Sequence, residues 1–189
     1  KTSKVVKIKS YNKLFTRTIF TRSLIDYLFH TPNPEERNNV KSKLFKLKEF
    51  EDVKTENNKI LDKDEILNGF EEVRKSFKII KEILNKHLKF KDDQGINNLI
   101  LIPANALFRK TVNPSIKDIG HFIKWFILFH INGKPYLGKA EFKLKNDCNA
   151  ARNGNVKKLI ENLISNLKYS NEDELLFNKK TYINSINKE

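Results

Sequence analysis

The chain is short of the residues that make most sites easy to read. It has one cysteine, Cys148, and no methionine in 189 residues. A single thiol excludes an internal disulfide and any multi-thiolate metal centre, and it fits a reducing, cytoplasmic setting. The absence of methionine even at position 1 leads to the expectation that the chain is a piece of a longer gene product, unless modified methionines are missing from it. Only 6 glycines and 5 prolines are present, so the Gly-rich loops that cradle nucleotide phosphates have little to be built from. Long apolar runs are also missing. The greasiest, "FIKWFILFHI" from Phe122 to Ile131, holds Lys124 and His130 and is too short to span a bilayer. The opening "KTSKVVKIKSYNKLF" has no apolar core and no small-residue cleavage site, so no signal peptide is visible in it.

What is present is apolar and basic. Fourteen Phe, with Ile and Leu throughout, supply a sizeable core and exclude a disordered composition. Lys and Arg number 37 against 23 Asp and Glu, a formal charge of +14 that attracts polyanions. Lysine outnumbers arginine and Asn is abundant, which equally describes a lysine-rich proteome of generally basic proteins. The charge is segregated. Residues 1–48 carry 12 basic and 3 acidic side chains, whereas residues 49–74 carry 4 basic and 9 acidic.

Periodicity points to helices. Leu14, Thr18, Thr21 or Leu24, Ile25 and Leu28 share one helical face, and "HTPNPEE" stops that helix. Asn33 and Pro34 suit the start of another, running to about Phe50, before the polar "EDVKTENNKIL". From Asp62 or Asp64, Ile66, Leu67, Phe70, Val73, Phe77, Ile80, Ile83, Leu84 and Leu88 recur at threes and fours. "INNLILIPANALFRK" can be strand or helix, and helix is favoured because Pro103 fits a first turn. Further helices are expected over Ile116–Phe129 and Ala140–Ala151, through Val156 to Leu167, and after a capping pattern at Ser170 or Asn171. The expectation is an all-α fold, an irregular bundle of about six to eight helices with room for a short strand at either end. Residues 1–60 read as a basic N-terminal helical segment and polar linker, and 61–189 as the main helical domain.

Catalytic patterns are hard to find. Acyl-transfer and nucleotide-loop motifs are absent. In "NGKPYLGK" the two lysines flank glycines, but Pro135 removes an N–H donor, so the loop reads as a corner between helices that presents Lys134 and Lys139. Asp118 and His121 share a helix face and read as a surface pair. His130 lies near a helix C-terminus, where an imidazolium is favoured. Trp125 reads as core, and Cys148 as half-buried and inert. Asp62, Asp64, Glu65, Glu71 and Glu72 read as a solvated face. No metal ligand set and no cofactor is expected in this chain. The basic candidates are Arg17, Arg22, Lys41, Lys43, Lys46 and Lys48 near the start. A second group, Lys134, Lys139, Lys143, Lys145, Arg152, Lys157 and Lys158, gathers around two helix ends where one phosphodiester track could be met.

The order "GFEEVRKSFKIIKEIL", "NNLILIPANALF", "IKDIGHFIKWFILFHINGKPYLGKAEFKLKNDC" resembles the helical region of the ParB-like / His-Asn-His nuclease family of modification-dependent (GmrSD-type) restriction proteins. The likeness spans roughly residues 66–168. It rests on the long helix, the "LIP" segment, the "KWF" helix, the turn at Gly133–Tyr136 and the acid at Asp147. Pro135 departs from the family's turn, and neither its Asp-Gly-Gln-Gln-Arg nucleotide motif nor its nuclease motif is present. The resemblance implies a non-catalytic fragment of a bacterial restriction or phage-defence protein. Such a fragment would position the catalytic domains of a longer parent, a nucleotide-dependent nuclease, and add nonspecific contacts to the DNA backbone. In it Trp125, Gly133, Pro135, Tyr136 and Asp147 would be structural. The alternatives are a stand-alone helical nucleic-acid-binding protein and a protein-interaction or assembly module, including a homo-oligomer. No membrane partner is expected.

Overall fold

Residues 15–32, 63–89, 98–109, 111, 113–132 and 135–177 are described by a computed structural model. Among them are seven α-helices, one 3-10 turn and no strand, the all-α bundle that the periodicity predicts. The helices are α1 (Arg17–Phe29), α2 (Lys63–Leu88), α3 (Leu101–Phe108), α4 (Ile116–Ile131), α5 (Ala140–Arg152), α6 (Val156–Leu167) and α7 (Glu172–Phe177). The expected helix from Asn33 to Phe50 and the polar stretch after it lie outside the described residues. None of these helices is long and apolar enough to cross a membrane.

Each helix is set by short-range chemistry. The Thr16 hydroxyl accepts from the Ile19 amide to start α1, and His30 in the left-handed region ends it. Ser115 and Asp118 exchange hydrogen bonds in a capping box at the start of α4. Asp118 is therefore a cap, and the Ser115 hydroxyl holds its carboxyl below the usual range. Asn155 caps α6, and Asn171 accepts from the Glu174 amide to start α7. Between α5 and α6 the chain reverses in three residues, with Gly154 at φ 65°, a conformation that glycine adopts without strain.

Packing then arranges the helices around α3. Residues 101–106 and Phe108 are buried on every side of this short helix, with α1, α2 and α5 packed against it. A helix that is apolar all round belongs inside. Pro103 sits in its first turn, where no intrahelical donor is needed. The long α2 contributes a single buried stripe of Ile66, Val73, Phe77, Ile80, Ile83 and Leu84. α4 adds Phe122, Trp125, Phe126 and Phe129, with Phe122 edge-on to Phe108 at 5.1 Å. α1 joins the same core cluster, although it falls in the segment assigned to residues 1–60.

The face predicted for α1 needs correction. Thr21, Leu24 and Ile25 are buried as expected, but Thr18 is exposed, Leu28 is half-buried, and Ile19, Ser23, Asp26 and Phe29 are buried as well; Leu14 lies outside the described residues. Because α1 is packed against both α2 and α3, it buries more than one stripe, including polar groups that a hydrophobic pattern passes over. Gly69 of α2 lies tight against α1: a Cβ there would stand 2.9 Å from the Tyr27 ring. That contact accounts for a residue which costs about 1 kcal/mol of helix propensity relative to Ala.

Candidate nucleic-acid interface

The loop between α4 and α5 is a lock rather than a cradle. Gly133 and Lys134 lie outside the described residues. Pro135 and Tyr136 are buried, and the Tyr136 ring meets Phe129 edge-on at 5.0 Å. Its phenol donates to Asp147 Oδ2 at 2.7 Å, while Asn162 Nδ2 donates to Oδ1 at 2.8 Å. One buried carboxylate thus joins the loop, α5 and α6. Burial pushes the Asp147 carboxyl up to about 6, against the two hydrogen bonds that favour its ionised form. Burial and the neighbouring Asp147 also push the Tyr136 phenol well above its ordinary value. Both side chains were singled out from the sequence, which could not show that they touch.

Lys143 is occupied by the same loop. Its ammonium donates to the carbonyls of Leu137 at 2.8 Å, Pro135 at 3.1 Å and Asn166 at 3.4 Å. An ammonium saturated by three carbonyls caps the loop and the last turn of α6. A phosphate would have to displace those bonds.

Arg152 is likewise engaged. It donates to Asp26 Oδ1 at 2.5 Å, to the His30 carbonyl at 3.1 Å, and to the Asn149 side chain. Asp26 is fully buried, and its other oxygen accepts from Arg109 at 2.8 Å. Arg109 also donates to Asn105 Oδ1 and the Ser23 carbonyl, and Asn105 Nδ2 donates to the Val73 carbonyl. This chain of polar contacts ties α1, α2, α3 and α5 together at the centre of the bundle. Sequence reasoning missed Asp26 and Arg109. The available signal was an acid inside the apolar "LIDYLF" and an arginine ending the apolar "NALF".

Two further expectations change. Cys148 is fully buried, not half-buried, and burial pushes its thiol well above the ordinary range, which leaves it inert. His130 does lie in the last turn of α4, but its Nδ1–H donates to the Phe126 carbonyl at 2.7 Å, and burial lowers its pKa. Burial therefore disfavours an imidazolium at this position, against the Phe126 hydrogen bond that favours it. Trp125 is in the core as expected, which removes it as a stacking platform.

The remaining lysines mark two ends of one hairpin. Lys143 lies beside Asn166, Asp147 beside Asn162 and Ala150 beside Asn155, so α5 and α6 run antiparallel. Lys139, exposed in a left-handed conformation before α5, is at one end, while the partly exposed Lys145 lies midway along α5. Lys157 and Lys158 are exposed at the other, where Lys158 pairs with Glu161 at 3.1 Å. The 13 residues of α5 separate the ends by about 20 Å. Of the N-terminal candidates, Arg22 is held by Glu141 at 2.5 Å and by the Pro32 carbonyl at 3.2 Å. Arg17 is exposed, and Lys41, Lys43, Lys46 and Lys48 lie outside the described residues.

A second basic surface was not singled out from sequence. Between the start of α1 and the middle of α2 is a cavity of about 420 Å³, with Phe15, Phe20 and Phe77 on its walls and Arg74, Lys75, Lys78 and Lys81 around it. No group of three or more His, Cys, Asp or Glu side chains among the described residues could hold a metal ion. Comparison with known protein families, with curated proteins and with solved structures finds no match to this chain.

Proposed function

We propose that this chain is a non-catalytic helical module that touches the phosphodiester backbone of DNA and holds the catalytic parts of a larger bacterial restriction or phage-defence protein. The resemblance of residues 66–168 suggests the parent. The observation that carries the DNA contact is the division of the cations. Lys143, Arg109 and Arg152 are consumed in holding helices together, while Lys139 and Lys157 make no ion pair among the described residues and Lys158 has only an exposed one. Their span of about 20 Å is the axial length of roughly six base pairs of duplex. The test is duplex binding by the intact chain at low and moderate salt, against a Lys139→Gln/Lys157→Gln/Lys158→Gln variant. If each lysine meets one phosphate, the variant's salt dependence flattens by about 2.7 in the slope of log K against log salt. Equal affinity and slope in the two proteins would remove the hairpin contact.

A second reading has its own observation. Leu137 is 74% exposed and Phe142 is 64% exposed, in the turn before α5 and its first turn. Large apolar side chains so placed suit a protein-interaction or assembly module. This reading predicts an oligomer that persists in high salt and dissociates in a Leu137→Ser/Phe142→Ser variant. Sedimentation as a monomer at every concentration would count against self-assembly.

A further inference from the structure

The cavity between α1 and α2 combines an apolar wall with a basic rim. Its apolar wall, among the described residues, is aromatic. Phe15 and Phe77 lie 5.0 Å apart, and Phe20, partly exposed, stands 6.1 Å from Phe77 and 5.5 Å from Phe70. Its polar rim, among the described residues, is cationic. Arg74, Lys75, Lys78 and Lys81 recur over two turns of α2, a run of about 10 Å. Arg74 and Lys75, both exposed, pair one turn back with Glu71 at 2.7 Å and with the half-buried Glu72 at 2.9 Å. Ion pairs at the surface are worth about 1 kcal/mol or less and yield to a competing anion. Lys78 and Lys81 have no ion-pair partner among the described residues.

The acids of α2 sharpen this polarity. Asp64, Glu65, Glu71 and Glu72 occupy its first half, while beyond Lys75 only Glu82 interrupts the basic run. An occupant must therefore offer flat apolar surface to the phenylalanines and negative charge to the rim. An acyl chain would be better matched by aliphatic walls, and a rigid duplex hides its base faces in the stack. Unpaired nucleotides supply both, because every base has a face to stack on an aromatic ring and a phosphate at each step.

We infer that this groove binds single-stranded nucleic acid, with a base against Phe20 and its phosphates on Lys78 and Lys81. The inference rests on the nucleic-acid reading and deepens it: the lysines of the α5–α6 hairpin meet duplex backbone, and the α1–α2 groove takes unpaired strand.

The decisive comparison uses the unaltered chain. A labelled oligodeoxythymidine, an abasic strand of the same length and a matched duplex are titrated by fluorescence anisotropy at low and moderate salt. The expected result is at least about fivefold tighter binding of oligodeoxythymidine than of the abasic strand, since the two differ only in the bases. Phe20→Leu, which keeps an apolar side chain and removes the ring, should abolish that preference and leave duplex affinity unchanged. Lys78→Gln/Lys81→Gln should weaken both single strands and flatten their salt slope by about 1.4. If the abasic strand binds as tightly as oligodeoxythymidine while the duplex still depends on Lys139, Lys157 and Lys158, the groove assignment is overturned and the proposed function stands. If none of the three probes binds at low salt, both fall. The comparison of the two strands on the unaltered chain keeps the inference falsifiable even if Phe20→Leu fails to fold.

Discussion

Asp147 concentrates the residue-scale physics of this molecule. Its carboxyl is buried, receives two hydrogen bonds and still titrates near 6, because desolvation outweighs both bonds. The native state therefore holds a proton more tightly than an unfolded chain, in which the group returns to about 3.8. Asp147's contribution to stability is then fully present below pH 4 and lost as pH rises through 6. Substituting Asn removes the charge. The Asn162 amide can flip to accept from the new side chain, while Tyr136 keeps an acceptor. Asp147→Asn should consequently gain on the wild type, by on the order of 2 kcal/mol, between pH 4 and pH 7.5. Denaturant melts of the two proteins across that range give the difference directly, with the other carboxyls cancelling. A difference that does not vary with pH would mean that Asp147 titrates as an ordinary surface acid.

At the scale of elements, the sequence reveals helices in proportion to how one-sidedly each is buried. α2 and α6 bury a single stripe, so Ile66 to Leu84 and Val156 to Leu163 stand out at threes and fours. α3 is buried on all sides and has no period to read, which is why "LILIPANALF" left strand and helix both open. α1 defeats the pattern differently, since Asp26 and Ser23 lie inside with the apolar residues. What secures α1 is a partner 83 residues away, and no local spacing discloses it. Losing Arg109 would strand the Asp26 carboxylate with only Arg152, whose guanidinium is partly exposed. Arg109→Ala is expected to cost about 3–5 kcal/mol, and Arg152→Ala less, because water can reach Asp26 on the side that Arg152 vacates. Chemical denaturation of both variants measures the order. An Arg152 variant as damaged as the Arg109 variant would contradict this ranking. The candidate site follows the same rule. Composition showed that cations were plentiful, but only the fold shows that Lys143 and Arg152 face carbonyls and carboxylates inside the protein.

For the whole molecule, the balance between repulsion and pairing sets how stability responds to salt. A chain with formal charge +14 repels itself, and salt relieves that repulsion within a Debye length of about 8–10 Å. The surface pairs that salt would weaken are few among the described residues: Arg74–Glu71, Lys75–Glu72, Lys124–Glu172 and Lys158–Glu161. Each contributes at most about 1 kcal/mol. The Asp26 cluster is buried and is screened far less. Repulsion should therefore dominate, and the melting temperature should rise by several degrees between low and moderate sodium chloride. A polyanion should do more than simple salt at equal ionic strength, because it binds the native cations and stabilises by mass action. Single-stranded DNA should lose part of this effect in the Lys78→Gln/Lys81→Gln variant, and duplex should lose part of it in the hairpin variant. A melting temperature that falls with salt would show that the surface pairs outweigh the repulsion. A polyanion no better than sodium chloride would show that the basic surface is only a solvated coat.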